Sequence, residues 1–471
     1  MNNKKKENNY IKDKEVKSLK ERFNFKLFGI IICILFFVSF FLYFNLIKEN
    51  NVISTQTYDI IRNAQDNDMN DNLVEKTYSS KSYLILKFPL KITTENNALN
   101  FLMIIIFIVS LFMINKLIPK TSILLLIVPF TPIFIQFLFI INDYTFSLFS
   151  ALICVYSINQ KNKYFKFIMS LLFSLISFFF NPYIGLIVII YIVTYLIKNT
   201  KIDINYKKKK RIYFSLYLIP ILITTFIKYE TTLTTTNSFV ELNSIYGVSL
   251  NLILIAIIGY NKFKRNIYLR NLALAGFAIF FIDKIAGILV LNIILLIIVS
   301  NTIKSIIDES WNNINLQKLT ILLLFCTIIF SNVLHLSFIN NNQTDNEIIE
   351  TLKEFSKFKA STVISSKENG YIIKYFSNKN IILDSEETKI QNYKEKILDI
   401  NNLFLSRNID TTSNLLKKYN ISHIIITEDM VKNEDNVEKY NGILFLIDVY
   451  RDNFKPILKR DKITIYKFIK K

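Results

Sequence analysis

Cysteine is scarce: the three present, Cys33, Cys154 and Cys326, all fall inside apolar runs, so neither a disulfide framework nor a cysteine-based metal site is readable. Glycine and proline are few, at 8 and 7 residues. The chain has no Gly-rich phosphate loop, no Pro-rich linker and no internal repeat. Of the two histidines, His335 lies in an apolar run and His423 in a β-branched one, and neither is assigned a role. Acidic side chains number 37 against 57 basic ones, leaving +20, a surplus that suits nucleic acid or a membrane surface. The charges lie between long apolar runs, which favours the membrane and excludes nucleic acid. With 51% apolar residues the chain is not disordered.

Several apolar runs of about 17 to 24 residues lack charge, enough at about 1.5 Å per residue to cross a hydrocarbon core about 30 Å thick. Read against their breaks, they place helices near 27–47, 98–115, 121–141, 144–158, 164–180, 183–197, 211–229, 245–260, 267–282, 285–303 and 317–339. This predicts a polytopic α-helical membrane protein of about eleven spans. The run 164–197 is too long for one span and is broken at Asn181-Pro182, so it reads as a hairpin. The first run follows a basic tail of residues 1–26 and has no small-residue cleavage site, so it reads as a retained helix.

With the tail inside, 27 of the 35 Lys and Arg before residue 340 fall in inner segments, as the positive-inside rule requires. A prokaryotic plasma membrane protein with a cytoplasmic N-terminus is expected. An odd number of spans then puts residues 340–471 outside, beyond a transmembrane part at 27–339. That C-terminal part carries 22 basic and 19 acidic side chains, a soluble balance. Its pattern predicts a small extracytoplasmic α/β domain: a helix over Glu347–Phe358, strands at Ser361–Ser365 and Asn380–Leu383, and a helix starting at Gly370–Phe376. Asp410 is expected to cap a helix over Thr411–Tyr419, followed by a strand at Ile421–Thr427 and a strand pair within Phe454–Ile469.

A soluble part outside has no cytosolic nucleotide nearby, so chemistry there needs an activated substrate in lipid-linked form. The long outer loop, residues 48–97, carries Asp59, Asp66, Asp68, Asp71 and Glu75. Long loops between packed spans often carry function, although charge runs usually face water. Asp143 stands in a two-residue turn between apolar helices, where it reads either as a helix cap at Tyr144 or as a site residue. Lys284, beside Asp283, reads as half of a local ion pair or as a lipid-phosphate contact.

These features resemble the GT-C superfamily of integral membrane glycosyltransferases, in particular prokaryotic proteins similar to oligosaccharyltransferase catalytic subunits. The segment Gln56-Thr57-Tyr58-Asp59-Ile60-Ile61-Arg62-Asn63-Ala64 resembles the family's first-loop stretch, and Phe88-Pro89-Leu90 the proline entering its second span. Pro132–Gln136 through Ile141-Asn142-Asp143-Tyr144 resembles its second outer loop, and Lys284 its basic residue at an outer helix end. Glu368-Asn369-Gly370-Tyr371, Ile382-Leu383-Asp384, Asn414–Tyr419 and Lys462–Lys467 resemble recurring stretches of its soluble domain. The resemblance implies transfer of a sugar from a polyprenyl-phosphate-linked donor, drawn from the membrane lipid, to an outer-face acceptor. It also implies Asp59 and Asp143 as catalytic and metal-binding groups, a divalent cation such as magnesium or manganese, and Tyr58, Arg62 and Lys284 at the substrate. Two departures stand out. The family's catalytic Asp falls on Gln56, a poor cation ligand and no base, so that Asp59 takes its place or the chain is a non-catalytic relative that keeps the fold and lipid-phosphate binding. The family's Trp-Trp-Asp acceptor motif falls on Ser366-Lys367-Glu368, which argues against sequon recognition.

Overall fold

The computed structural model describes residues 55–66, 80–117, 140–199, 247–260, 267–309, 311, 313–341, 344–385, 390–432 and 434–469, with a few single positions between 70 and 131. Two expected spans, 27–47 and 211–229, lie outside these residues, and 121–141 does so for most of its length.

The expected outer loop is largely helical. Helix α1 spans Thr55–Asp66, the short antiparallel strands β1 (Asn70–Asp71) and β2 (Lys76–Thr77) follow, and α2 spans Tyr83–Ile92 with Pro89 inside it. The proline therefore lies in a helix of its own, ahead of the first described apolar span. Residues 57–64 of α1 are buried on every side except at half-buried Arg62, because α1 is enclosed between the two hydrophobic cores of the molecule. The solvated-loop reading of this acidic stretch thus does not apply at Asp59.

The apolar helices are α3 (Glu95–Leu117), α4 (Asp143–Ile158), α5 (Lys163–Phe180), α6 (Pro182–Asn199), α7 (Leu250–Ile258), α8 (Ile267–Phe280), α9 (Lys284–Asp308) and α10 (Ile314–Asn341). Among the described residues, three stretches, Asn97–Ile114, Lys284–Asp308 and Ile314–Ser331, are long and apolar enough to cross a membrane. Exposed faces have the composition lipid requires. Helix α5 turns Tyr164, Ile168, Leu171 and Leu175 outward, and α10 does the same with Leu316, Leu319, Leu323 and Phe330, each set at helical spacing. The opposite face of α5 carries buried Ser170, Ser174 and Ser177, small residues that let α4 approach closely. Ser147 Oγ donates to the Ser177 carbonyl at 2.8 Å, and Cys154 Sγ to the Ser170 carbonyl at 3.2 Å.

The expected hairpin is present. Asn181 ends α5 and caps α6, its Oδ1 accepting from the amides of Tyr183 and Ile184 at 3.0 Å each, with Pro182 at the first helical position. Gly185 is required by the close approach, since a Cβ there would come within 2.4 Å of the Phe178 backbone.

The C-terminal part is an α/β unit with its own core, built on Val363, Ile424, Ile425, Ile465, Phe404 and Leu446 among others. Its elements are α11 (Asn346–Phe355), β3 (Thr362–Ile364), a 3₁₀ turn at Lys367–Asn369, α12 (Gly370–Ser377), β4 (Asn380–Ile381), α13 (Tyr393–Leu405), α14 (Ile409–Lys418), β5 (Ile421–Thr427), α15 (Glu428–Lys432), α16 (Glu434–Val449), β6 (Phe454–Lys459) and β7 (Ile463–Phe468). The sheet order is β4-β3-β5-β7-β6, parallel over the first three strands and antiparallel over the last three. Strand β5 lies at the centre and reads as a continuous apolar run because both its faces are covered. Pro456 is tolerated because β6 is an edge. One expectation is corrected: the cap of α14 is Asn408, whose Oδ1 accepts from the amides of Asp410 and Thr411, and Asp410 lies in the first turn.

His423 is buried on β5, against the Phe355 ring at 5.2 Å and Ser422 Oγ at 2.8 Å. Burial, with Lys467 and Lys379 nearby, pushes its imidazole down to about 4. The unfolded chain therefore binds the proton more readily. The contribution to stability is complete above the unfolded value near 6.5 and is lost as pH falls towards 4. In thermal denaturation, His423→Leu is expected to lose about 2 kcal/mol less than the parent between pH 7 and 4.5. Identical losses would mean that the imidazole takes up its proton in the fold as readily as in the unfolded chain.

Candidate functional site

Four helices begin at the same level of the molecule, on the side of the α/β unit, and their first residues meet in one polar belt. Asn142 caps α4 by accepting from the Thr145 amide at 3.0 Å. Asp143 is then free of that duty and reaches across to the start of α2. Its Oδ1 accepts from the amides of Lys81 and Ser82 at 2.8 Å each, from Ser80 Oγ at 3.1 Å and from Ser82 Oγ, while Oδ2 accepts from the Lys81 amide at 3.1 Å. A carboxylate at a helix N-terminus satisfies orphan amides and opposes the helix dipole. The cap reading of Asp143 is thus right in kind and wrong in target, since the capped helix is α2.

Asp283 caps α9, accepting from the Ala286 amide at 3.1 Å, and also receives Tyr144 Oη at 3.2 Å and Asn181 Nδ2 at 3.4 Å. These bonds tie the starts of α4, α6 and α9 together. Asp283 makes no ion pair with Lys284, whose side chain is exposed. Lys81 donates to the Phe179 carbonyl and lies over the Phe179 ring at 4.4 Å, adding a second positive charge to the belt.

Above this belt lies α1. Thr57 Oγ1 donates to the Ile141 carbonyl at 3.4 Å. On its other side α1 meets α12: the Tyr58 ring lies 4.9 Å from Tyr375 and 5.0 Å from Phe376. Asp59 Oδ1 accepts from Lys374 Nζ at 2.8 Å, and the same ammonium donates to Asp384 Oδ2 at 2.7 Å. The Lys374 and Asp384 side chains are wholly buried and that of Asp59 is 8% exposed. Burial of charge on this scale is tolerated only with paired, hydrogen-bonded partners. Tyr375 Oη and Gln65 Nε2 both donate to the Glu95 carboxylate at the start of α3. Burial and Glu95 push the Tyr375 hydroxyl well above its usual range, so it stays a donor.

The residues expected at the site are therefore divided. Tyr58, Asp59 and Arg62 share α1, where Tyr58 and Asp59 face α12; Asp143 and Lys284 belong to the belt below. Gln56 is also in α1, three positions before Asp59. Among the described residues, no three His, Cys, Asp or Glu side chains gather closely enough to hold a metal ion. Sequence reasoning missed Lys374, Asp384, Glu95 and the Ser80-Lys81-Ser82 stretch. A lone cation within the apolar run Gly370–Phe376 was the available signal for Lys374.

A separate cavity of about 220 Å³ opens in the α/β unit at the carboxyl ends of β3 and β4, where ligands of open α/β sheets bind. Ser365, Ser366, Lys367, Asn401 and Tyr440 supply its polar atoms, with aliphatic walls from the sheet and α13.

No protein-family model matches the chain, and no curated protein does by sequence. Among solved structures it is similar to the oligosaccharyltransferase of Archaeoglobus fulgidus. The apo form superposes with a TM-score of 0.61 at 10% identity, over 86% of this chain and 70% of that one. The form in complex with an inhibitory peptide and a dolichol-phosphate gives 0.57 at 10% identity, over 86% and 70%. The form with zinc and sulfate gives 0.54 at 10% identity, over 89% and 70%.

Proposed function

We propose that this chain, which has the GT-C-type fold of an archaeal oligosaccharyltransferase, is a membrane glycosyltransferase that moves a sugar from a polyprenyl-phosphate-linked donor to an acceptor at the outer face of a prokaryotic plasma membrane. One observation carries the reading: the likeness runs over 86% of the chain, more than either the membrane-helical part or the α/β unit spans alone. The neighbour's complex with a dolichol-phosphate supports a lipid-linked donor. A phosphate leaving group needs its charge offset where it departs. The belt supplies four helix N-termini, Lys81 and exposed Lys284, a suitable surrounding for an anion even after Asp143 and Asp283 have taken part of the dipole field. The cavity beside Ser366 suits an acceptor presented by the α/β unit.

A neighbour is in complex with zinc and sulfate, and the resemblance of the first loops implies a divalent cation at Asp59 and Asp143. Here the assigned ligands do not fit one. Asp59 is occupied by the Lys374 ammonium, and Asp143 accepts five hydrogen bonds from the start of α2. No step is therefore routed through a metal. The same geometry favours a second reading, a non-catalytic relative that retains lipid-phosphate binding, since Gln56 is no base and Asp59 is not free to act as one.

Lipid binding and transfer test the two readings together. Lys284→Ala is expected to weaken binding of polyprenyl phosphate about threefold, as loss of one exposed charge contact does. Lys318→Ala, exposed at the far end of the α9–α10 pair, should leave it unchanged. Equal binding by both variants would remove Lys284 from the site. Transfer from lipid-linked sugars by the parent supports the enzyme, and lipid binding without transfer selects the second reading.

A further inference from the structure

We infer that Lys374 supplies, as a built-in ammonium, the positive charge beside Asp59 that the fold family implies from a divalent cation, so that Asp59 is not a metal ligand in this chain. The inference stands whether or not the chain transfers sugar.

Three elements converge on one nitrogen. Asp59 comes from α1, Lys374 from α12 and Asp384 from the chain after β4, with Nζ at 2.8 Å and 2.7 Å from the two carboxylates. The ammonium has no exposed surface, and it lies 5.1 Å from the centre of the Tyr371 ring. Its position is fixed by the helix that bears it. Gly370, at the start of α12, packs so close to Asp384 that a Cβ would meet it at 2.7 Å. A strand end and a helix start are thus locked together around the pair. Lys374 cannot leave this place without carrying a four-carbon stem out of a buried position.

A divalent cation at Asp59 would have to share the carboxylate with a unit positive charge already in hydrogen-bond contact, inside low dielectric where like charges repel strongly. It would also need about six oxygen ligands. Among the described residues no acidic cluster supplies them, and Asp143 is spent on α2. An ammonium meets the need of the two carboxylates with no ion to acquire. It has three donors and is covalently held.

Manganese binding to the purified full-length protein, followed by the electron paramagnetic resonance signal of free Mn²⁺, tests this. The parent is expected to leave that signal undiminished, or to bind Mn²⁺ with an affinity that Asp59→Asn does not alter. Mn²⁺ binding abolished by Asp59→Asn would overturn the inference. In Lys374→Gln the two carboxylates lose the ammonium they share, and Mn²⁺ should bind about tenfold more tightly than to the parent and raise the thermal midpoint. A folded Lys374→Gln that gains no Mn²⁺ affinity would also overturn it. If that variant does not fold, the comparison of the parent with Asp59→Asn decides the question alone.

Discussion

Replacing Lys374 by methionine is expected to cost about 3–5 kcal/mol, the range found when one partner of a buried ion pair is removed. Methionine fills the space of the stem, so the loss is one of charge. Asp59 and Asp384 lose the ammonium they share while remaining buried, which favours uptake of a proton or of water. The effect concentrates where the two cores meet, because α1 is held to the α/β unit by this ammonium and by Tyr58 against Tyr375 and Phe376. Urea denaturation in detergent, followed by circular dichroism, should show an earlier transition for Lys374→Met. Protease should cut more readily between the parts. Changing all three residues to apolar ones of similar volume should recover much of the loss, since buried ionic clusters are commonly replaceable by well-packed hydrophobes. A Lys374→Met protein as stable as the parent would mean that the carboxylates are hydrated and the ammonium incidental.

The parts of the fold legible from sequence are those where one physical requirement dominates. A helix exposed to lipid must be apolar over a long run, and α3, α4, α5, α6, α8, α9 and α10 fall where hydropathy places them. Strand β5 is similarly plain because Ile421, Ile424, Ile425 and Ile426 are β-branched and buried together. Competing signals defeat the reading elsewhere. At the start of α14 both Asn408 and Asp410 are good caps, and the amides of Asp410 and Thr411 settle on Asn408. Helices α13 and α16 open with charged turns, Tyr393-Lys394-Glu395-Lys396 and Glu434-Asp435-Asn436, and their apolar stripes begin only later, at Ile397, Ile400 and Leu403 in α13 and at Tyr440, Ile443 and Leu446 in α16.

The site was harder still. Its residue types stood out in sequence, yet Asp59 lies 315 positions from Lys374, and no periodicity connects residues so far apart. The belt has the same character: Tyr144 and Asp283 are 139 positions apart, and Asn181 and Asp283 are 102. Hydropathy can assign each of these residues to a helix end. Only the packing of the helices decides which ends touch, and it gives Asp59 a buried ammonium for a partner where the sequence suggested solvent, a catalytic role or a metal ion.

Asp143→Ala is expected to lower stability by about 3–4 kcal/mol. The side chain serves the amides of Lys81 and Ser82 and the hydroxyls of Ser80 and Ser82, and each buried donor left without an acceptor costs about 1–3 kcal/mol, part of it returned by water. Helix α2 should fray from its first turn, which loosens α1 above it. Asp143→Asn retains the oxygen that takes most of these bonds but loses the charge and the Oδ2 acceptor of the Lys81 amide, so its cost should be about 1–2 kcal/mol. The order of the two variants distinguishes a cap from a catalytic group. A cap predicts stability graded from parent to Asn to Ala, with transfer or lipid binding falling only as the folded fraction falls. A carboxylate that acts on the reacting atoms predicts two variants with near-parental thermal midpoints and equally poor transfer, because asparagine neither takes a proton nor carries the charge. Thermal midpoints in detergent, measured beside lipid binding on the same preparations, separate these outcomes. An alanine variant as stable as the parent would detach Asp143 from α2 and return its carboxylate to the site.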